Sequence, residues 1–524
     1  MKFWTSFLWS VLSAGCAFAQ TGSYVGSVVF PADASLAEKV RLAAHVVPSE
    51  RQIAWQQMET TCFICFGINT FTDREWGTGK EDLSLFNPSQ LDARQWVRTA
   101  KEAGMKLVLL TCKHHDGFCL WPSKYTDFSV ASTPWKNGKG DVVREVADAC
   151  RAEGLKLGVY LSPWDMNHPD YGTEKYNDYF VNQLTELLTE YGTIHEVWFD
   201  GACGEGPNGR KQEYDFQRYY STVRTLQPQA VIAVMGPDVR WVGTESGYGR
   251  DTEWSVIPAS DNMLASIAAS SQQEAGNGTY IPEGDGVKKD LGSRLMLEKA
   301  GGAVWYPSEV DVSIRPGWYY HAAQDSLVKS PQKLVDIYYS SVGKNSLLLL
   351  NLPPDKRGLI HENDRQSLMA MKRILDETFS DNLLEKAVSP EDRLEALTDK
   401  RLDTGWRGLE ESLQIRFQTP VTFDRILLQE NIREGQRIEE FCIEYKENDA
   451  WHVLATGTTV GYKRLLRTDK VTCRELKISV RKCRDVPMLS ELGLFWHRPK
   501  KLFLRKERGY IIHHRLLGLT RIIS

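Results

Sequence analysis

Two carboxylic acids stand at the ends of apolar runs, where a strand would deliver them to the edge of a sheet. Asp200 follows the run 197–199 and precedes Gly201, which lets the backbone or a ligand approach closely. Glu245 lies in a second such segment, 240–247. One nucleophilic and one proton-donating carboxyl about 5–5.5 Å apart are what retaining hydrolysis of a glycosidic bond requires. A helix cap or an ion pair with Arg is the alternative role for Asp200.

The proton donor of such a pair must hold its proton near neutral pH, which burial among apolar side chains favours. Aromatic residues near Glu245 in the sequence could supply that environment, namely Trp241, Tyr248 and Trp254. Three other acids remain candidates for the same role: Glu253, Glu309 and Asp311.

Two adjacent histidines, His114 and His115, follow the apolar run 106–112. Neighbouring residues of a strand point to opposite faces, so both rings can meet one ligand only if the strand has ended before them. No third ligand lies at a spacing typical of a metal site. Imidazoles in such a position hydrogen-bond well to the hydroxyl groups of a ligand. A solvated or purely structural pair is the alternative.

Cys62 and Cys65 have the spacing of a redox pair or of half a zinc site, with Cys112 and Cys119 as further thiols. They belong, however, to an apolar run that predicts a buried strand, whose alternate residues face opposite ways. Removal of a signal segment would leave nine of the ten cysteines, an odd number without the dense spacing of a disulfide scaffold. We therefore favour structural thiols and expect no metal.

Residues 50–375 alternate short apolar runs with amphipathic segments, which is typical of βα units around a parallel sheet. Eight strands are predicted, over residues 62–68, 106–112, 156–162, 195–199, 230–235, 240–244, 302–306 and 345–350. This count predicts an α/β fold, a (β/α)8 barrel of the TIM type, over residues 20–375. Barrel enzymes build their sites at the C-terminal ends of the strands, so the polar residues that follow these runs are expected to converge.

From residue 376 to 497 the helical period is lost, and runs such as 413–417 and 476–480 alternate apolar and polar residues. This pattern predicts an all-β sandwich. The last segment, 498–524, is strongly basic and continues neither domain. We expect a disordered extension there, and a membrane-surface or partner-binding helix is the alternative.

The N-terminus has the three parts of a secretory signal over residues 1–19: Lys2, an apolar run over 3–12 and a small-x-small sequence at 17–19. We expect cleavage before Gln20 and an exported protein, periplasmic or secreted. Lipidation at Cys16 is a minor alternative, because the leucine of such a site lies one position early.

The rest of the chain points neither to a membrane nor to nucleic acid. No later apolar stretch has the ~18 residues that a transmembrane helix needs. The net charge of the whole chain is −4, and the chain without its basic tail is more negative still. The main body therefore has no electrostatic basis for binding nucleic acid.

Four segments of the chain resemble the signatures of glycoside hydrolase family 29, the α-L-fucosidases. These segments are 65–77, 113–121, 197–201 and 240–247. The subgroup that they most resemble prefers α-1,3 and α-1,4 linkages on branched glycans. The resemblance implies a (β/α)8-like catalytic domain and, as in many relatives, a C-terminal β-sandwich. The turn 397–406 is similar to one found in discoidin-like carbohydrate-binding modules.

The resemblance also implies a role for each matched residue. Asp200 is the nucleophile that forms a glycosyl-enzyme intermediate, and Glu245 is the acid/base that protonates the departing oxygen and later deprotonates water. The residues implied to hold the fucose are Glu75, Trp76, His114, His115 and Tyr160, with Trp318 on the C5 methyl group. Relatives usually carry His where this chain has Cys65, a weak hydrogen-bond partner, so affinity is expected to fall about tenfold to a hundredfold.

The resemblance therefore predicts an exo-acting, retaining α-L-fucosidase that needs no metal or cofactor. Its substrate would be terminal α-1,3- or α-1,4-linked fucose on an oligosaccharide or glycoconjugate. Two alternatives remain open: α-1,2 specificity, and a fucose-binding protein on the same fold with weakened turnover. The sandwich either binds glycans or braces the barrel, and bracing is favoured because the sequence gives no aromatic cluster on one face.

Overall fold

The computed structural model describes residues 26–260, 262–274, 289–388, 394–408 and 412–497. The predicted signal segment 1–19 and the basic tail 498–524 lie outside these residues. Within the described ranges, none of the helices combines the length and the apolar character needed to cross a membrane. The chain forms a closed barrel followed by an antiparallel sheet domain, which confirms the predicted α/β and all-β parts.

Strands and helices are numbered in chain order over the described residues. The strands are β1 Ser27–Val29, β2 Thr60–Ile64, β3 Leu107–Lys113, β4 Lys156–Leu161, β5 Glu196–Phe199, β6 Ala202–Cys203, β7 Val231–Val234, β8 Val239–Trp241, β9 Val256–Ala259, β10 Gln273–Glu274, β11 Gly302–Trp305, β12 Ser308–Ser313, β13 Ser346–Asn351, β14 Trp406–Arg407, β15 Leu413–Glu430, β16 Ile438–Glu447, β17 Ala450–Gly457, β18 Arg464–Cys483 and β19 Met488–Phe495. The helices are α1 Leu36–Ala44, α2 Glu50–Gln56, α3 Ile68–Thr72, α4 Ala93–Glu102, α5 Val142–Glu153, α6 Glu174–Glu190, α7 Phe216–Leu226, α8 Met263–Ser271, α9 Arg294–Glu298, α10 Pro331–Ser340 and α11 Glu362–Thr378.

Eight parallel strands close the barrel in the order β12, β13, β2, β3, β4, β5, β7 and β8, and β8 pairs again with β12. Every side chain of β3 is buried, which explains its almost continuous apolar sequence. Helices between the strands begin and end at residues suited to those positions. Asp141, for example, accepts a hydrogen bond from the Arg144 N–H at the start of α5, and Gly154 ends that helix at a positive φ.

One predicted barrel strand is wrong. The run 302–306 forms β11, which pairs antiparallel with β1 and β9 in a separate three-stranded sheet. The barrel position belongs to β12, which follows directly, because Pro307 has no N–H to continue a ladder and separates the two runs. Glu309 and Asp311 therefore lie inside the seventh barrel strand, on one face at a spacing of i, i+2.

The C-terminal domain is an antiparallel sheet with the strand order β14, β19, β15, β18, β16 and β17. The predicted alternation is clear at the start of β15, where Leu413, Ile415 and Phe417 are buried and the residues between them are exposed. Register shifts interrupt the pairing of the long strands β15 and β18, and such shifts bend a sheet. The predicted domain boundary at residue 375 falls inside α11, which ends at Thr378.

Buried polar contacts join the two domains. The carboxylate of Glu253 pairs with the buried guanidinium of Arg240, and its carbonyl accepts a 3.0 Å hydrogen bond from Gln436 Nε2 in the sheet domain. Tyr462 N donates to Asn345 Oδ1 at 2.7 Å. Breaking a buried bond of this kind leaves an unpaired polar group, so these contacts resist separation of the domains more strongly than surface ion pairs would.

Two buried carboxyl groups meet inside the barrel, below the strand ends. Glu196 Oε2 accepts from Trp55 Nε1 at 3.3 Å, and Glu309 Oε1 accepts from Trp198 Nε1 at 2.8 Å. Among the described residues the other two oxygens, Glu196 Oε1 and Glu309 Oε2, have no nitrogen or hydroxyl donor, which leaves a hydrogen bond between the two acids themselves. Two ionised carboxylates cannot form that bond, so the pair holds a proton. Burial raises the pKa of Glu196 to about 7, and burial followed by repulsion from Glu196 raises the pKa of Glu309 well above its usual value.

This pair makes a prediction about stability. In the folded state the pair binds a proton that an unfolded chain loses above about pH 4.5, so the free energy of unfolding falls as the pH rises through the pKa of Glu196, about 7. We expect Glu309→Gln to reduce the drop in Tm between about pH 5 and about pH 9, because it removes one titrating carboxyl and keeps the shape. Calorimetry at both pH values measures this. Glu447→Gln, at an exposed site in β16, is the control, and an unchanged Tm difference in Glu309→Gln would contradict the shared proton.

Candidate active site

A pocket opens at the C-terminal ends of the barrel strands, and aromatic side chains form much of its wall. Its lining residues are Phe63, Cys65, Trp76, His114, His115, Tyr160, Trp198, Asp200, Ala202, Val234, Met235, Trp241, Glu245, Gln273, Asp311 and Trp318. Eight of the nine residues predicted from sequence are among them, and Glu75 is not. The structure therefore brings together side chains that lie more than two hundred positions apart in the sequence.

Asp200 comes directly after β5 and presents a partly exposed carboxylate to the pocket. Tyr160 Oη donates to Asp200 Oδ2 at 2.9 Å, and the backbone N–H of Ala202 donates to Asp200 Oδ1 at 2.8 Å. Each oxygen thus accepts a hydrogen bond, which fixes the orientation of the group. In these contacts Asp200 neither caps a helix nor pairs with an arginine, so the geometry suits a nucleophile.

The two histidines both face the pocket because β3 ends at Lys113, one residue before them. The Ser162 hydroxyl donates to Trp164 O at 2.9 Å, so its oxygen accepts from His115 Nδ1 at 2.7 Å. This assignment leaves the His115 Nε2 lone pair free to accept a hydrogen bond from a ligand hydroxyl. Burial lowers the pKa of His115 to about 3, and burial followed by proximity to His115 lowers the pKa of His114 well below its usual value. Both rings are therefore neutral at neutral pH.

Glu245 lies in the loop after β8, close to the pocket mouth. Trp318 Nε1 donates to Glu245 Oε2 at 3.1 Å. Burial raises the pKa of Glu245, and repulsion from Asp200 and Glu75 raises it further, against the opposing effect of the Trp318 hydrogen bond. A carboxyl that keeps its proton to higher pH than usual is suited to act as a general acid.

Aromatic rings surround the carboxyl groups. Trp76 stands edge-on to His115, with ring centroids 5.5 Å apart, and to Trp164 at 5.4 Å. On the other side Trp318 packs edge-on to Phe63 at 5.9 Å. These walls exclude water and offer flat apolar surfaces to a ligand. Tyr160 contributes both a ring to the wall and its hydroxyl to Asp200.

Glu75 is the one predicted site residue that is absent from the pocket wall. Its Oε2 accepts the backbone N–H of Trp318 at 2.8 Å, and its Oε1 lies 2.6 Å from His321 Nε2. The carboxylate is still partly exposed, and each oxygen has a second acceptor site. Glu75 thus holds the Trp318 segment at the edge of the pocket and keeps some capacity to accept from a ligand.

Cys65 follows β2 and is fully buried in the pocket wall. Its backbone N–H donates to Asn351 Oδ1 at 3.1 Å, and its Sγ accepts from Thr111 Oγ1 at 3.6 Å. Burial raises the pKa of this thiol well above its usual value. The neighbouring candidate Cys62 is also buried with a strongly raised pKa. Such thiols lack the thiolate character that redox or zinc chemistry needs.

Sequence reasoning missed several lining residues. Gln273 reaches the pocket from β10, which pairs with β6 just after Asp200, and no periodic signal marks it. Asp311 was one of three rival acids, and it alone lies in the wall, where its Oδ1 accepts from Trp241 Nε1 at 2.8 Å. Burial, followed by repulsion from Glu245, raises the pKa of Asp311 well above its usual value.

The other two rival acids have structural roles. Glu253 pairs with the buried guanidinium groups of Arg240 and Arg250, and Glu309 shares its proton inside the barrel with Glu196. Neither lines the pocket. Among the described residues, no group of three or more His, Cys, Asp or Glu side chains is arranged to hold a metal ion. The arrangement can therefore supply a carboxylate held in place, a carboxyl with a raised pKa and neutral imidazoles.

Comparisons with known proteins identify the family. The α-L-fucosidase family model matches residues 52–378. The chain is 43% identical over 468 residues to Alpha-L-fucosidase 1 of Arabidopsis thaliana, covering 86% of this chain and 87% of that protein. A crystal structure of a candidate α-L-fucosidase from Bacteroides ovatus matches with 48% identity and a TM-score of 0.81, covering 93% of this chain and 80% of the other. A Ruminococcus gnavus GH29 fucosidase in complex with fucose matches with 32% identity and a TM-score of 0.74, covering 86% and 95%.

A barrel that brings two carboxyl groups to one pocket at its strand ends has the arrangement of a glycoside hydrolase, and the family match places the chain in that class. Within that class, the chain belongs to the α-L-fucosidase family, glycoside hydrolase family 29. It is a hydrolase, and the retaining mechanism is characteristic of this family.

The Cys65 position makes a prediction about affinity. We expect Cys65→His to lower KM for an aryl α-L-fucoside about tenfold to a hundredfold, because a ring nitrogen would pair with a sugar hydroxyl more strongly than a thiol can. Steady-state kinetics measure this. Cys65→Ser, a substitution of similar size, is the matched control and should change KM much less. An unchanged KM in a folded Cys65→His variant would contradict the lost-contact interpretation.

Proposed function

We propose that this fucosidase is exo-acting and that Asp200 and Glu245 carry out its two displacement steps. The observation that carries the proposal is that both groups line one pocket, one held by a hydrogen bond at each oxygen and the other with a raised pKa. An Asp200 oxygen attacks the anomeric carbon as the glycosidic C–O bond breaks, and the Glu245 proton passes to the departing oxygen. Water then attacks the same carbon, Glu245 takes its proton, and Asp200 is released.

The remaining pocket residues are proposed to hold the fucose. The neutral rings of His114 and His115 can accept from sugar hydroxyls, and the indoles of Trp76 and Trp318 offer apolar surface for the ring and its methyl group. Tyr160 would line the sugar site beside Asp200, to which its hydroxyl donates a hydrogen bond. The two weaker contacts are Cys65, through its thiol, and Glu75, from the edge of the pocket.

We propose terminal α-1,3- and α-1,4-linked fucose on an oligosaccharide or glycoconjugate as the substrate. The support is the resemblance of four motifs to the subgroup with that preference, and α-1,2 specificity remains the alternative. A fucose-binding protein with weakened turnover on the same fold is less favoured, because a binding protein has no need of both carboxyl groups. Export to the periplasm or the medium is proposed from the sequence of residues 1–19.

The sheet domain is proposed to brace the barrel. The support is the set of buried contacts between them, such as those of Gln436 with Glu253 and of Tyr462 with Asn345. A role in glycan binding is the alternative.

The nucleophile assignment predicts a large loss of turnover. We expect Asp200→Ala to lower kcat for an aryl α-L-fucoside by at least about a thousandfold, because no glycosyl-enzyme bond can form. Release of the aryl group measures turnover, and NMR of the first-formed fucose should show the retained anomer in the wild type. Asp469→Ala, at an exposed site in β18, should behave as the wild type. Undiminished turnover in Asp200→Ala would refute the mechanism.

The linkage proposal is tested on matched oligosaccharides. We expect release of fucose from a 3-fucosylated oligosaccharide to exceed release from its 2-fucosylated isomer in kcat/KM, and chromatography of the products measures both. Cleavage of the 2-linked isomer alone would replace the proposal by α-1,2 specificity. Binding of both sugars without turnover, in a properly folded protein, would favour the fucose-binding alternative.

A further inference from the structure

A histidine outside the pocket wall joins two loops that border the pocket. His321 follows β12, and its ring stands between two carboxylates of the loop after α3. His321 Nδ1 is 2.8 Å from Asp73 Oδ1, and His321 Nε2 is 2.6 Å from Glu75 Oε1. The ring is largely buried, whereas the Asp73 side chain is mostly exposed. Neither Asp73 nor His321 belongs to the set of residues proposed above for catalysis or sugar binding.

The chemistry of these contacts favours a specific ring at position 321. The two ring nitrogens of a histidine lie on opposite sides of one rigid ring, so a single side chain reaches both the Asp73 and the Glu75 carboxylates. Glutamine carries both of its donors on a single nitrogen and cannot span two carboxylates on opposite sides. Replacing His321 therefore frees the Glu75 carboxylate from one of its two anchors.

Glu75 passes this constraint to the pocket. Its Oε2 accepts the Trp318 backbone N–H at 2.8 Å, and the Trp318 carbonyl accepts from Asn351 Nδ2 at 2.8 Å. The backbone of Trp318 is thus held on both sides. Its indole Nε1–H then donates to Glu245 Oε2 at 3.1 Å. This contact orients the Glu245 carboxyl, whose proton is proposed to pass to the leaving oxygen.

The segment before His321 is built for close approach to Glu75. A Cβ at Gly317 would collide with Glu75 Oε1, so only glycine leaves room for the carboxylate at this position. Arg315, which is fully buried, fixes the base of the same segment by two hydrogen bonds. Its Nε donates to Asp364 Oδ2 at 2.8 Å, and its Nη1 donates to Asp325 Oδ1 at 2.9 Å. The segment is therefore anchored at its base, and the contacts of Glu75 and Asn351 set the position of Trp318.

We propose that Asp73 and His321 are positioning residues, which act through Glu75 and Trp318 to orient Glu245 for proton donation to the leaving group. The proposal rests on the proposed role of Glu245 as acid/base. A small misplacement of the proton donor raises the activation free energy for cleavage of the glycosidic bond only where the leaving group needs that proton. This dependence separates a positioning role from a merely structural one.

The test compares two aryl α-L-fucosides that share the sugar. A dinitrophenolate departs without protonation, whereas a phenolate needs it, and kcat/KM reports the step that breaks the glycosidic bond. We expect His321→Gln to lower kcat/KM for the phenyl fucoside about tenfold to a hundredfold more than that for the dinitrophenyl fucoside, because any loss of sugar contacts affects both substrates alike. Asp73→Asn should show the same change in a smaller degree. Gly317→Ala, which displaces the Glu75 carboxylate with His321 intact, should match His321→Gln.

Two controls make the result specific. His45→Gln removes another histidine–carboxylate contact, 2.6 Å from Asp485 Oδ2 and remote from the pocket, and should leave the ratio of the two kcat/KM values unchanged. In a Trp318→Phe background, which lacks the indole N–H, adding His321→Gln should change the ratio no further, because the route to Glu245 is already broken.

Glu245→Gln separates the two levels of the argument. If Glu245→Gln lowers kcat/KM equally for the phenyl and the dinitrophenyl fucoside, the assignment of Glu245 as acid/base fails, and this proposal fails with it. If Glu245→Gln discriminates strongly but the ratio in His321→Gln and Asp73→Asn equals that of the wild type, the positioning role is overturned and the assignment of Glu245 stands. Should His321→Gln fail to fold, the exposed Asp73→Asn and Gly317→Ala decide by the same ratio.

Discussion

Closure of the barrel by parallel pairing is the constraint on which the rest of this structure depends. The pairing of β13 with β2 joins the last barrel strand to the first and closes the ring. Because all eight strands run the same way, their C-terminal ends meet at a single rim. Asp200, at the end of β5, and Cys65, after β2, therefore share one pocket although the chain between them forms several helices. A slip of one strand would turn its inward side chains outward and dismantle the site.

Burial at this rim sets the electrostatics that the family's chemistry needs. Desolvation lowers the pKa of His115 to about 3 and raises the pKa of Glu245. The imidazole is therefore neutral, and the carboxyl keeps its proton to higher pH than usual. Asp200 differs from Glu245 in its hydrogen bonds, since it accepts one at each carboxylate oxygen, from Tyr160 and from the Ala202 N–H. Two acids of similar intrinsic strength thereby acquire different roles from their surroundings.

Much of the fold, and many of the residues that line the pocket, could be predicted from the sequence. Local signals were sufficient where a strand ended in a chemically distinctive run, as at His114, His115 and Asp200, because apolar periodicity places such residues at a rim. The failure at 302–306 has a physical cause, since two apolar runs flank Pro307 and periodicity cannot tell which of them closes the barrel. Gln273 was missed because it reaches the pocket from β10, a two-residue strand with no periodic signal.

The sequence by itself determined the class of fold, the family and the residues offered as nucleophile and acid/base, because these depend on residue types at local spacings. Tertiary structure alone decided which acids share the pocket. Glu253, Glu309 and Asp311 look alike in the chain, yet one is held by buried arginines, one shares a proton inside the barrel, and one lies in the wall. It also decided that Glu75 braces Trp318 as a partner of His321, far away in sequence. Side-chain partners across a barrel follow from strand closure and loop packing, and local spacing carries no information about either.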